Sequence, residues 1–320
     1  MHSMPTGASK PPVGILYFIK ERNITKKHHI LTAFTAAALI LGGGTPRYDF
    51  GAFGAPCPAL AEAASLFAKV NEKADSILDD GTEYSVYLSY PGESSEAFLY
   101  HNGPVRSASM IKMFIMAAVM EKVAVGEMSL DEGIVLNDYD KVGGSGILGG
   151  YADGTVLPLR TYMELMIAES DNTATNIIIN RLGMGTVNDY IARNGYSDTV
   201  LKREMMDMEA IAAGRENMTS AKDLGEIFVK IYNHQCVNQA LDEVMLEFLK
   251  GQTDTDCIPE ALPGRIVAHK TGALPGLIHD GGIVYGGTRD AVIVLLAENF
   301  TSEYTATERM KEFAAAVLGD

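Results

Sequence analysis

Apolar positions fall at helical spacing in some stretches of the chain and at strand-like density in others. Leu60, Ala64, Phe67, Val70 and Ala74 predict an amphipathic helix over 59–79, ended by Gly81. Tyr84 to Tyr90 reads as a strand, Pro91-Gly92 as a turn, and Glu96 to His101 as the hairpin partner. A long apolar run from Met113 to Met120 follows the polar turn His101-Asn-Gly-Pro104, with no Gly or Pro until Gly126. It predicts a helix with Ser109 in its first turn. Residues 121–160 are turn-rich. Leu159 to Ile167 is helical again, and the apolar pattern resumes at Ile177–Ile179 after a polar break at Ser170-Asp171-Asn172. Helices over Ala221–Tyr232, capped by Thr219 or Ser220, and over Gln239–Lys250 come next. Residues 200–209 keep no period.

The C-terminal part is strand-rich. Arg265 to Lys270 is a strand ending in Thr271-Gly272. Gly281–Tyr285 and Ala291–Ala297 are two more, the last the most apolar and so the central one. Glu303–Leu318 is a closing helix. Strands come from both ends of the chain and helices fill the middle. The fold class expected is α/β (α+β), with an antiparallel sheet of about five strands and a helical lobe inserted between strands two and three. A cleft belongs at the lobe junction.

The 320 residues carry a formal charge of −15. No basic stripe lies outside the N-terminus, so nucleic acid is not an expected partner. Residues 1–42 hold Lys10, Lys20, Arg22, Lys26 and Lys27 against Glu21 alone. The apolar run Ile30–Leu41 behind them is too short for a transmembrane helix and has the form of an export signal. Residues 1–57 are therefore read as a signal-like segment and linker, and 58–320 as one catalytic domain. Export to the periplasm or the exterior is expected, with membrane attachment through the N-terminal segment left open. Cys57 could carry a lipid there, though Pro56 argues against it. In an exported chain Cys236 and Cys257, which flank one helix, are expected to form a disulfide. The few histidines have no ligand spacing, so neither metal nor cofactor is expected, and His269 reads as local packing. Gly144 to Gly149 matches GxGxxG, but no strand precedes it and no helix follows, so it reads as a flexible surface segment. A monomer is expected.

Three groups carry the chemistry. Ser109 and Lys112 lie three apart at a helix start, on one face. A serine needs a partly neutral base to become a nucleophile, and a lysine in an apolar wall can supply one. Asp171 can cap the following helix, leaving Ser170 to relay a proton and Asn172 to hold a substrate carbonyl. Lys270-Thr271-Gly272 ends a strand. From Ser109 to Ser170 is 61 positions, and from Ser170 to Lys270 is 100.

In this order the three groups resemble the class A serine β-lactamases, within the penicillin-recognising serine hydrolases. The resemblance covers roughly residues 59–318. It implies the β-lactamase/transpeptidase-like fold, an acylated Ser109, Lys112 as its base, Ser170 as relay and Asn172 on the substrate amide. It also implies Lys270 and Thr271 on the substrate carboxylate, with an oxyanion hole made by the N–H groups of Ser109 and Ala273. One part departs from the pattern. The family's Arg-x-Glu-x-x-Leu-Asn loop, whose glutamate activates the deacylating water, corresponds here to Leu201-Lys-Arg-Glu-Met-Met-Asp-Met-Glu209. With Arg203 on the loop arginine, Met205 takes the glutamate position. Glu204 is the nearest replacement, with Asp207 and Glu209 as further candidates. A β-lactamase slow to deacylate, a D,D-peptidase or other acyl hydrolase, and a β-lactam or peptidoglycan binding module all remain open.

Overall fold

The structure is a computed structural model that describes residues 58–92 and 96–319. The stretch read as an export signal, Ile30–Leu41, and Cys57 lie outside the described residues. Five strands form one antiparallel sheet: β1 (Glu83–Ser89), β2 (Ala97–Tyr100), β3 (Ile266–Leu274), β4 (Leu277–Tyr285) and β5 (Ala291–Glu298). Their order is β2-β1-β5-β4-β3, which puts the most apolar strand in the middle. Alternation explains why β5 can sit there. Val292, Val294 and Leu296 face one core, while Ile293, Leu295 and Ala297 face the other.

The second core is closed by α1 (Pro58–Ile77) and by the closing helix Glu303–Leu318, through Val70, Ala74, Met310 and Phe313. The first is closed by the helical lobe between β2 and β3. At its centre is α2 (Lys112–Ala124), buried at every position from Lys112 to Met120. Around it stand α3 (Leu159–Ala168), α4 (Asn172–Leu182), α5 (Met184–Arg193), and helices over Ala221–Tyr232 and Gln239–Lys250. Fully buried Phe114, Met163, Ile178, Phe228 and Leu249 tie these helices into one cluster. Burying each such side chain contributes about 1.5–3 kcal/mol.

Four expectations are corrected. Cys236 and Cys257 are free cysteines. Cys236 packs against the lobe core, and Cys257 is buried in the other core. Flanking a helix in sequence did not bring the two thiols to one place. Secondly, β3 does not end at Gly272. It continues to Leu274 and pairs residue by residue with β4 from Ile266↔Tyr285 to Leu274↔Leu277. Pro275-Gly276 makes the tight turn, with Gly276 at φ +81. β4 accordingly begins at Leu277, because cross-strand pairing carries its polar His279 and Asp280 into the sheet. Thirdly, Ser109 lies in a 3₁₀ turn, Ala108–Ile111, that leads into α2. Lastly, residues 144–149 are pinned by hydrogen bonds to Asp171 and Asn172 rather than loose.

Candidate active site

The nucleophile candidate sits on a strained turn. In a 3₁₀ turn residues i and i+3 eclipse each other, so Ser109 and Lys112 share one face. Ala108, just before the serine, has φ +44. That left-handed conformation costs a residue with a Cβ about 1–2 kcal/mol. Neighbours hold it in place. Ser107 N–H donates to Asn217 O at 2.8 Å, and Met110 N–H to Ser107 O at 2.9 Å. His279 on β4 bonds through Nε2 to Arg106 O at 2.9 Å. β3 closes the other side, where a Cβ on Gly272 would stand 3.2 Å from Ser109 N and from Ala108 Cβ. A glycine lets the strand that carries Lys270, Thr271 and Ala273 approach this closely.

The turn between α3 and α4 is aimed at Lys112. Its Nζ donates to Ser170 O at 2.7 Å, Ser170 Oγ at 3.1 Å and Asn172 Oδ1 at 3.1 Å. Ser170 adopts φ +50, which helps turn both of its oxygens to the amine. Asn172 Nδ2 donates to Gly143 O at 3.1 Å. An amide nitrogen has two hydrogens, so one remains for another acceptor. Asp171 points away from the cleft. One carboxylate oxygen caps α4 through Ala174 N–H at 2.9 Å. The other accepts from Ile147 N–H at 2.7 Å and Leu148 N–H at 2.9 Å. It therefore fastens segment 142–148 beside Asn172.

Both site lysines are fully buried. Burial holds the Lys112 amine well below its usual pKa, Lys270 adds to the effect, and Asp171 opposes it. Lys270 is lowered to about 7, again by burial, with Asp254 and Asp280 opposing. Its Nζ donates to Thr271 O at 2.9 Å. His269 is directed away from this chemistry, with Nδ1 on Asp280 Oδ1 at 2.9 Å, while Asp280 Oδ2 accepts from Ile258 N–H. That is a packing role.

The loop after Leu201 is latched from both sides. Asn217 Oδ1 accepts from Lys202 and Arg203 N–H, and its Nδ2 donates to Arg203 O. The Arg203 guanidinium pairs with Glu216 at 2.7 Å. Asn176, one helical turn after Asn172, accepts Met205 N–H at 2.8 Å and donates to Met205 O at 3.0 Å. Met205 is thereby tied to the helix that bears Asn172, and its side chain is buried. Asp207 caps the short helix Met208–Ala212 through Ala210 N–H at 2.9 Å. Glu209 is exposed in the first turn of that helix. No hydrogen bond joins the Glu204 carboxylate to Ser109, Lys112, Ser170 or Asn172 among the described residues.

The model of the β-lactamase enzyme family matches residues 69–319. The chain belongs to this family. This β-lactamase-family chain is 25% identical over 226 residues to β-lactamase VEB-1 of Pseudomonas aeruginosa, covering 66% of this chain and 74% of that protein. A β-lactamase structure from Sphaerobacter thermophilus superposes with TM-score 0.71 at 28% identity, over 78% of this chain and 97% of that one. PBP-A shares the fold at TM-score 0.70 and 23% identity, over 79% of this chain and 94% of its own. Within the family fold, hydrogen bonds bring Lys112, Ser170 and Asn172 together, and the strand bearing Lys270 passes close to the Ser109 backbone at Gly272. The latching residues Asn176 and Asn217 were not foreseen. Only Asn176 carried a signal, its four-residue spacing from Asn172.

Proposed function

We propose that the protein is a serine hydrolase that opens β-lactam amides through an acyl-enzyme on Ser109 and releases the acyl group slowly. The observation that carries this reading is the buried Lys112 amine, three residues after Ser109 and bonded to both Ser170 and Asn172. Burial favours the neutral form of this amine, and once it has given up one of its three protons its lone pair can take the Ser109 proton as the hydroxyl attacks the lactam carbonyl. Ser170 Oγ, on the same amine, can pass that proton to the departing nitrogen. Asn172 Nδ2 holds the substrate's side-chain amide carbonyl. Lys270 and Thr271 receive its carboxylate. The N–H groups of Ser109 and Ala273 stabilise the oxyanion.

Slow release follows from the loop. Deacylation needs a base that holds water near the ester, and the loop position clamped by Asn176 of α4 is occupied by Met205. A thioether cannot accept that proton. Glu204 is the reserve candidate. Stopped-flow mixing with a chromogenic cephalosporin, read beside intact-protein mass, tests the whole reading. The expected result is a burst of one equivalent with a persistent adduct on the peptide holding Ser109. Steady turnover at tens per second without an adduct would refute slow release. No burst and no adduct would favour the peptidase or binding alternatives.

A further inference from the structure

A buried imidazole lies against the nucleophile turn and takes no part in the chemistry above. His279 on β4 pairs directly with Gly272 on β3, so both point to the same face of the sheet. That face carries the turn. A Cβ on Gly272 would meet Ala108 Cβ, Ser109 N and Met110 Cγ at 3.2–3.3 Å. The His279 ring stands beside that contact and reaches Arg106 O with Nε2 at 2.9 Å. Its Nδ1 lies 2.7 Å from Ile278 O. Two carbonyl oxygens thus face one ring. Burial lowers the imidazole to about 4, so near neutral pH it is uncharged and holds one hydrogen. Ile278 has ladder partners on both sides, Ala273 and Ala297, so backbone N–H groups supply its carbonyl. Arg106 is placed differently. Its partner in a short pairing, Met218, gives its own N–H to Val200 O. The ring hydrogen therefore belongs on Nε2.

We infer that His279 is a positioning residue for acylation: its Nε2–H grips Arg106 O and so fixes the turn that presents Ser109. This rests on the reading that Ser109 is the acylated group. The grip falls two residues before Ala108, whose left-handed backbone persists only with support from its surroundings. Arg106 is held at both ends. Its guanidinium Nε donates to Glu298 on β5 at 3.2 Å, and its carbonyl accepts from β4. With the side chain anchored, the carbonyl bond sets the peptide plane that leads into Ser107 and Ala108. Without that bond the residue stays in place but the plane can rotate. Ser109 and its N–H then lose their aim, and a small misplacement of a reacting group is costly.

Two measurements test it on the full chain. The first compares acylation with binding. Growth of the adduct mass gives the acylation rate constant for benzylpenicillin, and the same variants in a Ser109→Ala background give its dissociation constant. His279→Leu should acylate about 10- to 100-fold more slowly, yet bind within about twofold of the parent. His279→Gln, whose amide can donate to Arg106 O, should restore acylation to within about threefold. His279→Asn is one carbon shorter and should stay slow; it replaces His279→Leu if that variant does not fold. Equal losses in rate and binding, or His279→Gln as slow as the others, overturn the inference. The second measurement is the ¹⁵N spectrum of labelled histidine rings near neutral pH, with His279 assigned by its loss in His279→Gln. A hydrogen on Nε2, and a shift of that nitrogen on acylation, are expected. A bare Nε2 overturns the inference. An adduct on Ser109 that forms at a rate indifferent to residue 279 sinks His279 alone. No adduct in the parent, with the hydrogen on Nε2, sinks the acylation reading and leaves the grip on the turn standing. No adduct and a bare Nε2 sink both.

Discussion

Two loops are tied to α4 or its start, and they are built in opposite ways. At residues 170–172 the side chains converge. Ser170 and Asn172 both meet the Lys112 amine, and Asp171 braces the neighbouring segment. At residues 203–209 the carboxylates diverge. Asp207 caps a helix, Glu209 faces solvent, and Glu204 makes no bond to the cleft residues. What is latched in the second loop is its backbone, by Asn176 and Asn217. A loop can therefore be fastened through its backbone without its carboxylates bonding to Lys112. On the proposed reading, one loop serves acylation and the other no longer serves release.

The largest effect that can break this comparison is at the serine. Ser109→Ala should abolish the covalent adduct, read by intact mass after benzylpenicillin. An undiminished adduct would move the nucleophile elsewhere. Next is the base slot. Met205→Glu puts a carboxylate on a backbone already fixed by Asn176, and should speed deacylation by about 10²–10⁴-fold. Decay of the acyl-enzyme mass measures it. No change would mean that the clamped position does not face the ester.

A pH profile sharpens the contrast from the acylation side. Lys270 is lowered to about 7, so in the free enzyme it is charged below that pH and neutral above it. If its charge receives the substrate carboxylate, kcat/KM for acylation should fall up to tenfold per pH unit above about 7. Lys270→Arg keeps its charge throughout and should flatten that limb. Stability runs the other way. A lysine whose folded pKa is depressed binds fewer protons folded than unfolded between about 7 and 10.5, so its contribution to stability grows as pH rises through that window. An alkaline limb that persists in Lys270→Arg would assign it to another group.

Much of this was legible in the chain because local pattern and tertiary role agree there. The apolar run from Met113 to Met120 could only be buried, and the helix over Ala221–Tyr232 starts at its Ser220 cap. The central place of the strand follows from its unbroken apolar run, Ala291–Ala297. Elsewhere the information was not local. The strand through Gly272 runs on because β4 pairs with it, and no period in Thr271–Leu274 announces that. Residues 144–149 looked loose because their anchor, Asp171, is distant in sequence and appeared to be a helix cap alone. The cysteine pairing failed for the same reason, since spacing along the chain says nothing about which side of the sheet each thiol reaches. The loop at 203–209 has no period because its order comes from two asparagines on other elements.

The smallest expected effect decides between the loop's carboxylates. Asp207 Oδ1 accepts the Ala210 N–H at 2.9 Å, an N-cap on a helix of five residues. Removing such a cap costs about 0.5–2 kcal/mol. Asp207→Ala should therefore lower the unfolding midpoint modestly, and Asp207→Asn, which can still cap, should restore most of it. Neither should alter acyl-enzyme decay beyond about twofold if Asp207 only caps, because a missing general base would cost 10²–10⁴-fold. Glu204→Gln supplies the contrast. Its carboxylate has no partner at the cleft, so if Glu204 is the working base its loss should freeze the acyl-enzyme with little change in melting. A decay rate lost in Asp207→Asn but kept in Glu204→Gln would reverse the assignment. It would also mean that the cap opens during turnover.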